Sequence, residues 1–188
     1  MKASGVQFFD SLDDDHRSFI ARQPVFFVAT AAAGARINLS PKGIDSFRTL
    51  GDRQVGYLDL GGSGNETHAH LAADGRITIM FCAFDNPALI LRLYGRGTAV
   101  LPQDPTFATL AEAFPRLPGT RQIFVIDLDS VQTSCGWGVP HMTLEAERTT
   151  LVKYHAQQDP AARLAKAAER STSIDGLPIR PQTVMPDW

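Results

Sequence analysis

A chain of 188 residues with 44% apolar side chains can bury a substantial core, and its length is that of a single domain. With 18 basic residues against 20 acidic ones the formal charge is -2, which excludes a bulk field drawing the molecule to nucleic acid or an anionic membrane. Two cysteines are too few for a disulfide framework, no signal-peptide pattern opens the chain, and no apolar run approaches the roughly 20 residues of a membrane span, so the expectation is a soluble cytoplasmic protein.

The spacing predicts a first helix over about 10–22, with Ser11 as cap, Asp13 to Asp15 at the positive end of the dipole, and Phe8, Leu12, Phe19 and Ile20 as its apolar side. Pro24 ends it. PVFFVATA at 24–31 and RINLSPKG at 36–43 then read as two antiparallel strands around a Gly34 turn. Further strands are expected at 53–60, at 76–84, at 88–101 with a bend near Gly95 and Gly97, and at 121–135. Short helices are expected at 65–73 and 105–114, and a longer one at 159–170 with Asp159 as cap and Pro160 in its first position. Turns rather than regular helices separate the strands, which favours a mainly β, closed antiparallel barrel over a doubly wound parallel sheet. No linker divides the chain, so residues 1–188 read as one domain whose mobile part is the tail from Ser171 onward.

The stretch GGSGNETHAHL at 61–71 carries the most chemical information. Ser63 and Glu66 have capping-box spacing, and Asn65 and Thr67 add donors beside the free N–H groups of a helix start, where a phosphate could dock. The plainer reading is only a well-capped helix, and Glu66 is an unwelcome charge beside a phosphate. Lys42 and Arg36, on a strand expected to neighbour the third in a meander, are the cations that could reach this corner. GSGNET is a near miss to a dinucleotide fingerprint, but without βαβ units that reading fails. His68 and His70, two residues apart on a helix, point about 200° away from each other and cannot easily share a metal ion. No metal site is expected. Cys135 sits in TSCGWGVP, where glycines flank Trp137 as if the backbone approached something flat.

Taken together, PVFFVATA, INLSPKG, YLDLGGSGNETHAHL, RITIMFCAF with LRLYGRG, QTSCGWGVP and SIDGLP resemble, in order along nearly the whole chain, the flavin-binding proteins related to pyridoxamine 5′-phosphate oxidase. The resemblance implies a six-stranded antiparallel split β-barrel, a homodimer with FMN in grooves at the subunit interface. It assigns the phosphate to Lys42, Asn65 and Thr67, supported by Ser63, Gly64 and Arg36. It places the flavin's polar edge along Asn38, Leu39 and Ser40, with Tyr57, Leu58 and Asp59 on the neighbouring strand. Cys135, Gly136, Trp137 and Gly138 would close the groove from the other subunit. The authentic oxidase carries Arg-x-Val-Leu-Leu-Lys on its second strand and Ser-Arg-Lys at the helix start. The present chain has Arg36-Ile37-Asn38-Leu39-Ser40-Pro41-Lys42 and Gly64-Asn65-Glu66-Thr67, and a SIDGLP tail in place of substrate-holding Arg and His residues. Vitamin B6 oxidation is therefore not the expectation. An oxidoreductase acting on an unidentified small molecule is, with a non-catalytic flavin-binding or sensing module, a deazaflavin-dependent reductase and a cofactor-free structural dimer as the alternatives.

Overall fold

In the computed structural model, which describes residues 5–186, every pairing between named strands is antiparallel. The elements run β1 (Gln7–Phe9), α1 (Asp14–Ala21), β2 (Phe26–Thr30), β3 (Asn38–Lys42), β4 (Phe47–Thr49), β5 (Gln54–Leu60), α2 (Glu66–Ala73), β6 (Arg76–Cys82) and β7 (Leu89–Val100). They continue with α3 (Phe107–Ala111), β8 (Thr120–Cys135), α4 (Thr150–Ala156) and α5 (Pro160–Glu169). The sheet order is β3-β2-β6-β7-β8-β5-β4, with β1 added to β8. This is a split β-barrel. It has eight strands rather than six because two three-residue strands, β1 and β4, extend the expected set.

Alternation builds the barrel interior. From β2, Phe26 and Val28 face inward; from β5, Val55 and Tyr57; from β6, Ile77, Ile79 and Phe81; and from β8, Phe124 and Ile126. Five aromatic rings form the centre: Phe26 lies 5.2 Å from Phe47, 5.6 Å from Tyr57 and 5.5 Å from Phe81, and Tyr57 lies 5.1 Å from Phe124. Four of these rings are fully buried and contribute about 1.5–3 kcal/mol each, and the half-buried Phe47 packs against them. A second cluster, Leu58 and Ile123 with Phe107, Ala111 and Phe114, fills the opposite sheet face under α3.

Several expectations shift. The first helix starts at Asp14, because the Asp13 carboxylate rather than Ser11 accepts the His16 N–H at 2.8 Å while the Asp13 N–H reaches His16 Nδ1 at 3.2 Å. The helix near 105–114 contracts to Phe107–Ala111. A helix not expected, α4, lies over the Gly61 and Gly119 loops, with His155 Nε2–H donating to the Gly61 carbonyl at 2.7 Å. The tail from Ser171 is docked: Ser173, Ile179 and Gln182 are buried, and Arg180 pairs with Asp104 at 2.5 Å.

The expected neighbourhood of the second and third predicted strands is the main correction. β3 pairs only with β2, whereas β5 lies between β8 and β4, so the two stand at opposite ends of the sheet path. They meet across the split through side chains, Lys42 of β3 reaching Asp59 of β5, while the Leu58 N–H bond to the Ser46 carbonyl at 2.9 Å only continues the β4–β5 ladder.

The bend near Gly95 is present as a register shift between Tyr94 and Gly95. A Cβ at Gly95 would stand 2.2 Å from the Asp127 carbonyl oxygen, and one at Gly97 would stand 2.8 Å from Leu71 Cδ1, so α2 rests directly on β7. Gly95→Ala should destabilise the protein by on the order of 2–3 kcal/mol, read as a lowered denaturation midpoint at unchanged slope.

Candidate functional site

Five residues in β3 settle one wall of the site. Asn38, Ser40 and Lys42 alternate with Leu39 and Pro41, so the three polar side chains share the face turned to the split while Leu39 is left 66% exposed on the other. Across the split, Asp59 shares the inward face of Tyr57 at the barrel's mouth and is only 2% exposed. A carboxylate there needs compensation, since burial alone would raise its pKa. Lys42 Nζ lies 3.1 Å from Asp59 Oδ1, Arg121 donates to Oδ2 from Nε at 3.0 Å and from Nη2 at 2.6 Å, and Gln122 donates to Oδ2 at 2.8 Å. Against the desolvation of burial, Arg121 first and then Lys42 win, holding the Asp59 pKa at about 2.

The network continues into α2. Gln122 Nε2 also donates to Asn65 Oδ1 at 2.8 Å, and Gln122 Oε1 lies 2.7 Å from His68 Nδ1. The amide oxygen can only accept, so His68 carries its proton on Nδ1, leaving Nε2 to accept the Arg180 N–H at 3.2 Å. His70 turns the other way, its Nδ1 3.0 Å from Thr30 Oγ1, so the two histidines meet different partners. Burial lowers the His68 pKa more than the Gln122 bond raises it. Burial, then the charge of Asp59, raise the pKa of Tyr57 well above its ordinary value, and the phenol stays neutral.

Helix α2 begins without the expected capping box. Asn65 is the N-cap residue, yet no side chain caps the helix: Asn65 Oδ1 is taken by Gln122, and the Glu66 carboxylate accepts the Ile174 N–H at 3.2 Å. The N–H groups of the first turn have no side-chain capping acceptor, and Asn65, Glu66 and Thr67 at this helix start line a cavity of about 400 Å³. Asn38, Ser40 and Lys42 of β3, Asp59 of β5, and Ser63, Gly64, Asn65 and Thr67 of the loop and helix start all line it. Asn38 Nδ2 donates to Thr67 Oγ1 at 3.1 Å, and Ser40 Oγ donates to Asn38 Oδ1 at 3.4 Å. Glu66, also in the lining, is held by the tail, so the charge opposing an anion is partly engaged. An uncapped helix start, hydroxyl and amide donors and two cations on one carboxylate are a donor set that fits a phosphate group.

Eight of the sequence-predicted residues thus converge on one cavity. Tyr57 and Leu58 are fully buried in the two hydrophobic clusters, so of that trio only the Asp59 side chain reaches it. Arg36 does not line it; its guanidinium and backbone N–H both bind Asp175, fastening the SIDGLP segment beside the cavity. Cys135, Gly136, Trp137 and Gly138 lie at or beyond the far end of β8, roughly 45 Å along the strand from Arg121 at about 3.3 Å per residue. Within one subunit the cavity and this segment do not meet. Arg121, Gln122 and Ile174 were missed. The signal for Arg121 was Asp59 itself, an acid in the apolar run YLDL that requires a cation from a paired strand.

Known proteins bear on this arrangement in two ways. The profile described as pyridoxamine 5′-phosphate oxidase matches residues 12–135. The pyridoxamine 5′-phosphate oxidase family protein ustO of Aspergillus flavus is 38% identical over 192 residues, covering 91% of this chain and 76% of its own. Among solved structures, a Lactobacillus delbrueckii protein assigned to the pyridoxamine 5′-phosphate oxidases superposes with a TM-score of 0.55 at 12% identity, covering 68% of this chain and 98% of that one. Tagged HupZ of Group A Streptococcus superposes with a TM-score of 0.51 at 21% identity, covering 64% and 91%. A split barrel whose mouth carries a polar cavity defines a class, and the sequence agreement places the chain within it: it belongs to the pyridoxamine 5′-phosphate oxidase family.

Two outcomes follow from the ionisation pattern. Burial lowers the pKa values of His16, His68 and His155 below 6.5, so in acid the unfolded chain binds more protons than the native one, and Tm should fall as pH drops through about 6.5. Asp59 stabilises the fold above its unfolded value of 3.8, and that contribution is lost as pH falls toward about 2. Asp59→Ala, which leaves Lys42 and Arg121 facing each other, should lower unfolding free energy by on the order of 3 kcal/mol in denaturant titration at pH 7.

Proposed function

We propose that this protein binds flavin mononucleotide non-covalently and acts as an FMN-dependent oxidoreductase on a small organic molecule, working as a homodimer. The carrying observation is that one cavity is lined both by the start of α2, which has no side-chain cap, and by Asn38, Ser40, Lys42 and Thr67. Family membership supports the same reading. The cofactor's phosphate would be held by the first-turn N–H groups, Thr67, Ser40 and Lys42. Arg121 contributes positive charge from below, and Asp59 fixes both cations in position.

β3 has a ladder partner on one side only, so its outward backbone groups around Leu39 are available to the polar edge of the flavin ring. When bound, the flavin supplies the redox chemistry, and the chain's residues orient it and exclude water. Exposed apolar side chains support the dimer: Ile37 at 78% and Leu39 on the β3 edge, and Trp137 at 79%, Met142 and Leu144 in the segment after β8. Cys135 to Gly138, remote within their own subunit, would reach a groove only in a partner.

The purified protein should be yellow, with FMN identified by absorption and mass. Anaerobic addition of NADH, NADPH or candidate substrates should bleach it. A pigment that binds but is never reduced would support a non-catalytic flavin module, and a deazaflavin spectrum would support the reductase alternative. Replacing Lys42 and Thr67 together by Ala should weaken FMN binding by about tenfold or more while light scattering still reports a dimer. FMN affinity unchanged within error would remove the phosphate assignment.

A further inference from the structure

Behind the loop that bears the proposed phosphate cradle lies a second cavity of about 300 Å³, walled by that loop, by α4 and α5, and by the tail after Pro178. Its charged lining consists of Arg121, Arg163, Lys166, Arg170 and Arg180, and no Asp or Glu takes part. In a chain whose net charge is -2, this is a local concentration of positive charge.

Two of the five cations are paired with a carboxylate, Arg121 with Asp59, which it shares with Lys42, and Arg180 with Asp104. Arg170 donates to the Gly62 carbonyl at 2.7 Å and keeps its full charge. Arg163 and Lys166 have no hydrogen bond or ion pair through their side chains among the described residues, and Arg163 is nonetheless half-buried. Burial without a counter-charge lowers the Arg163 pKa from its ordinary value, so this placement opposes stability.

The sequence pattern explains how the charges converge. Arg163 and Lys166 stand at i and i+3 on one side of α5, Arg170 is the residue that caps its C-terminal end, and Asp159 and Pro160 set where that helix begins. The helix is otherwise mostly alanine and fully buries no residue, so it packs shallowly. Leu101, Leu151, Ile179 and Pro181 add an apolar wall. Guanidinium groups recognise carboxylate and phosphate alike, by paired hydrogen bonds.

We propose that this basin is a binding site for a small organic anion bearing two negative charges on an apolar body, gripped by Arg163, Lys166 and Arg170 and distinct from the phosphate cradle of the flavin. The two cavities share Gly62, Ser63, Asn65 and Arg121, so the acid bound in the basin would lie against the back of the cradle loop. A substrate or an effector of the flavin site would gain its selectivity for acidic molecules there.

Calorimetric titration of the protein as purified, with phenyl phosphate and with phthalate as probes, tests the site and separates a phosphate from a dicarboxylate head. The expected result is saturable binding of at least one probe with one site per chain, weakened by raising salt to about 0.5 M. The double substitution Arg163→Ala and Lys166→Ala should reduce affinity about tenfold or more without loss of thermal stability, since no ion pair is removed. Replacing Lys42 and Thr67 by Ala should leave probe affinity unchanged. If the α5 double variant does not fold, Lys166→Glu at its exposed position should produce the same loss. Failure of both probes to bind overturns the proposal, as does binding abolished by the Lys42 and Thr67 pair but indifferent to the α5 substitutions. A colourless protein that still binds a probe through α5 would defeat the flavin reading and leave this one standing.

Discussion

The buried carboxylate of Asp59 is the constraint on which the site depends. A charge nearly removed from water must be met by opposite charge and by hydrogen bonds, and here these come from β3 through Lys42 and from β8 through Arg121 and Gln122. The requirement ties together strands that no backbone ladder joins, because β3 and β5 lie at opposite ends of the sheet path. It also sets the electrostatics of the cavity. Two cations share one carboxylate, so the cluster keeps a net positive charge that an incoming anion can use without either cation having been left unpaired beforehand.

A second consequence concerns the tail. Its polar, proline-containing sequence offers no periodicity, yet it is fastened at intervals: Arg36 to Asp175, Glu66 to the Ile174 N–H, His68 to the Arg180 N–H, and Arg180 to Asp104. Every one of these partners lies far away in the chain. Glu66, an obstacle to a phosphate when read in isolation, becomes an anchor for the segment that closes the cavity. One loop, 61–65, consequently separates two polar cavities, and Arg121 lines both.

Much of the architecture was legible because burial imposes a period. β2, β6, β7 and β8 each combine apolar or aromatic alternation with a turn signal, and the glycine at position 95 marks the bulge correctly. The elements that escaped are those too short to show a period, β1 and β4 with three residues each, and α4, whose N-cap Thr149 makes no side-chain bond. The site was legible on β3 and α2, where polar residues interrupt apolar ones at fixed spacing. It was not legible on β8, because Arg121 reads as an ordinary exposed charge until its strand is set against Asp59.

Local chemistry alone determined the six longer strands, the helix capped by Asp159, the polar face of β3 and the donor-rich loop before α2, since each follows from the alternation or capping of residues close in sequence. Only the tertiary structure decided which strands are neighbours, that the helix expected from about Asn65 starts without the Ser63 and Glu66 capping box, and that the tail is docked. Those outcomes depend on the pairing of groups many residues apart, where the cost of leaving a buried charge or N–H unmet selects one arrangement among many that short-range preferences allow equally.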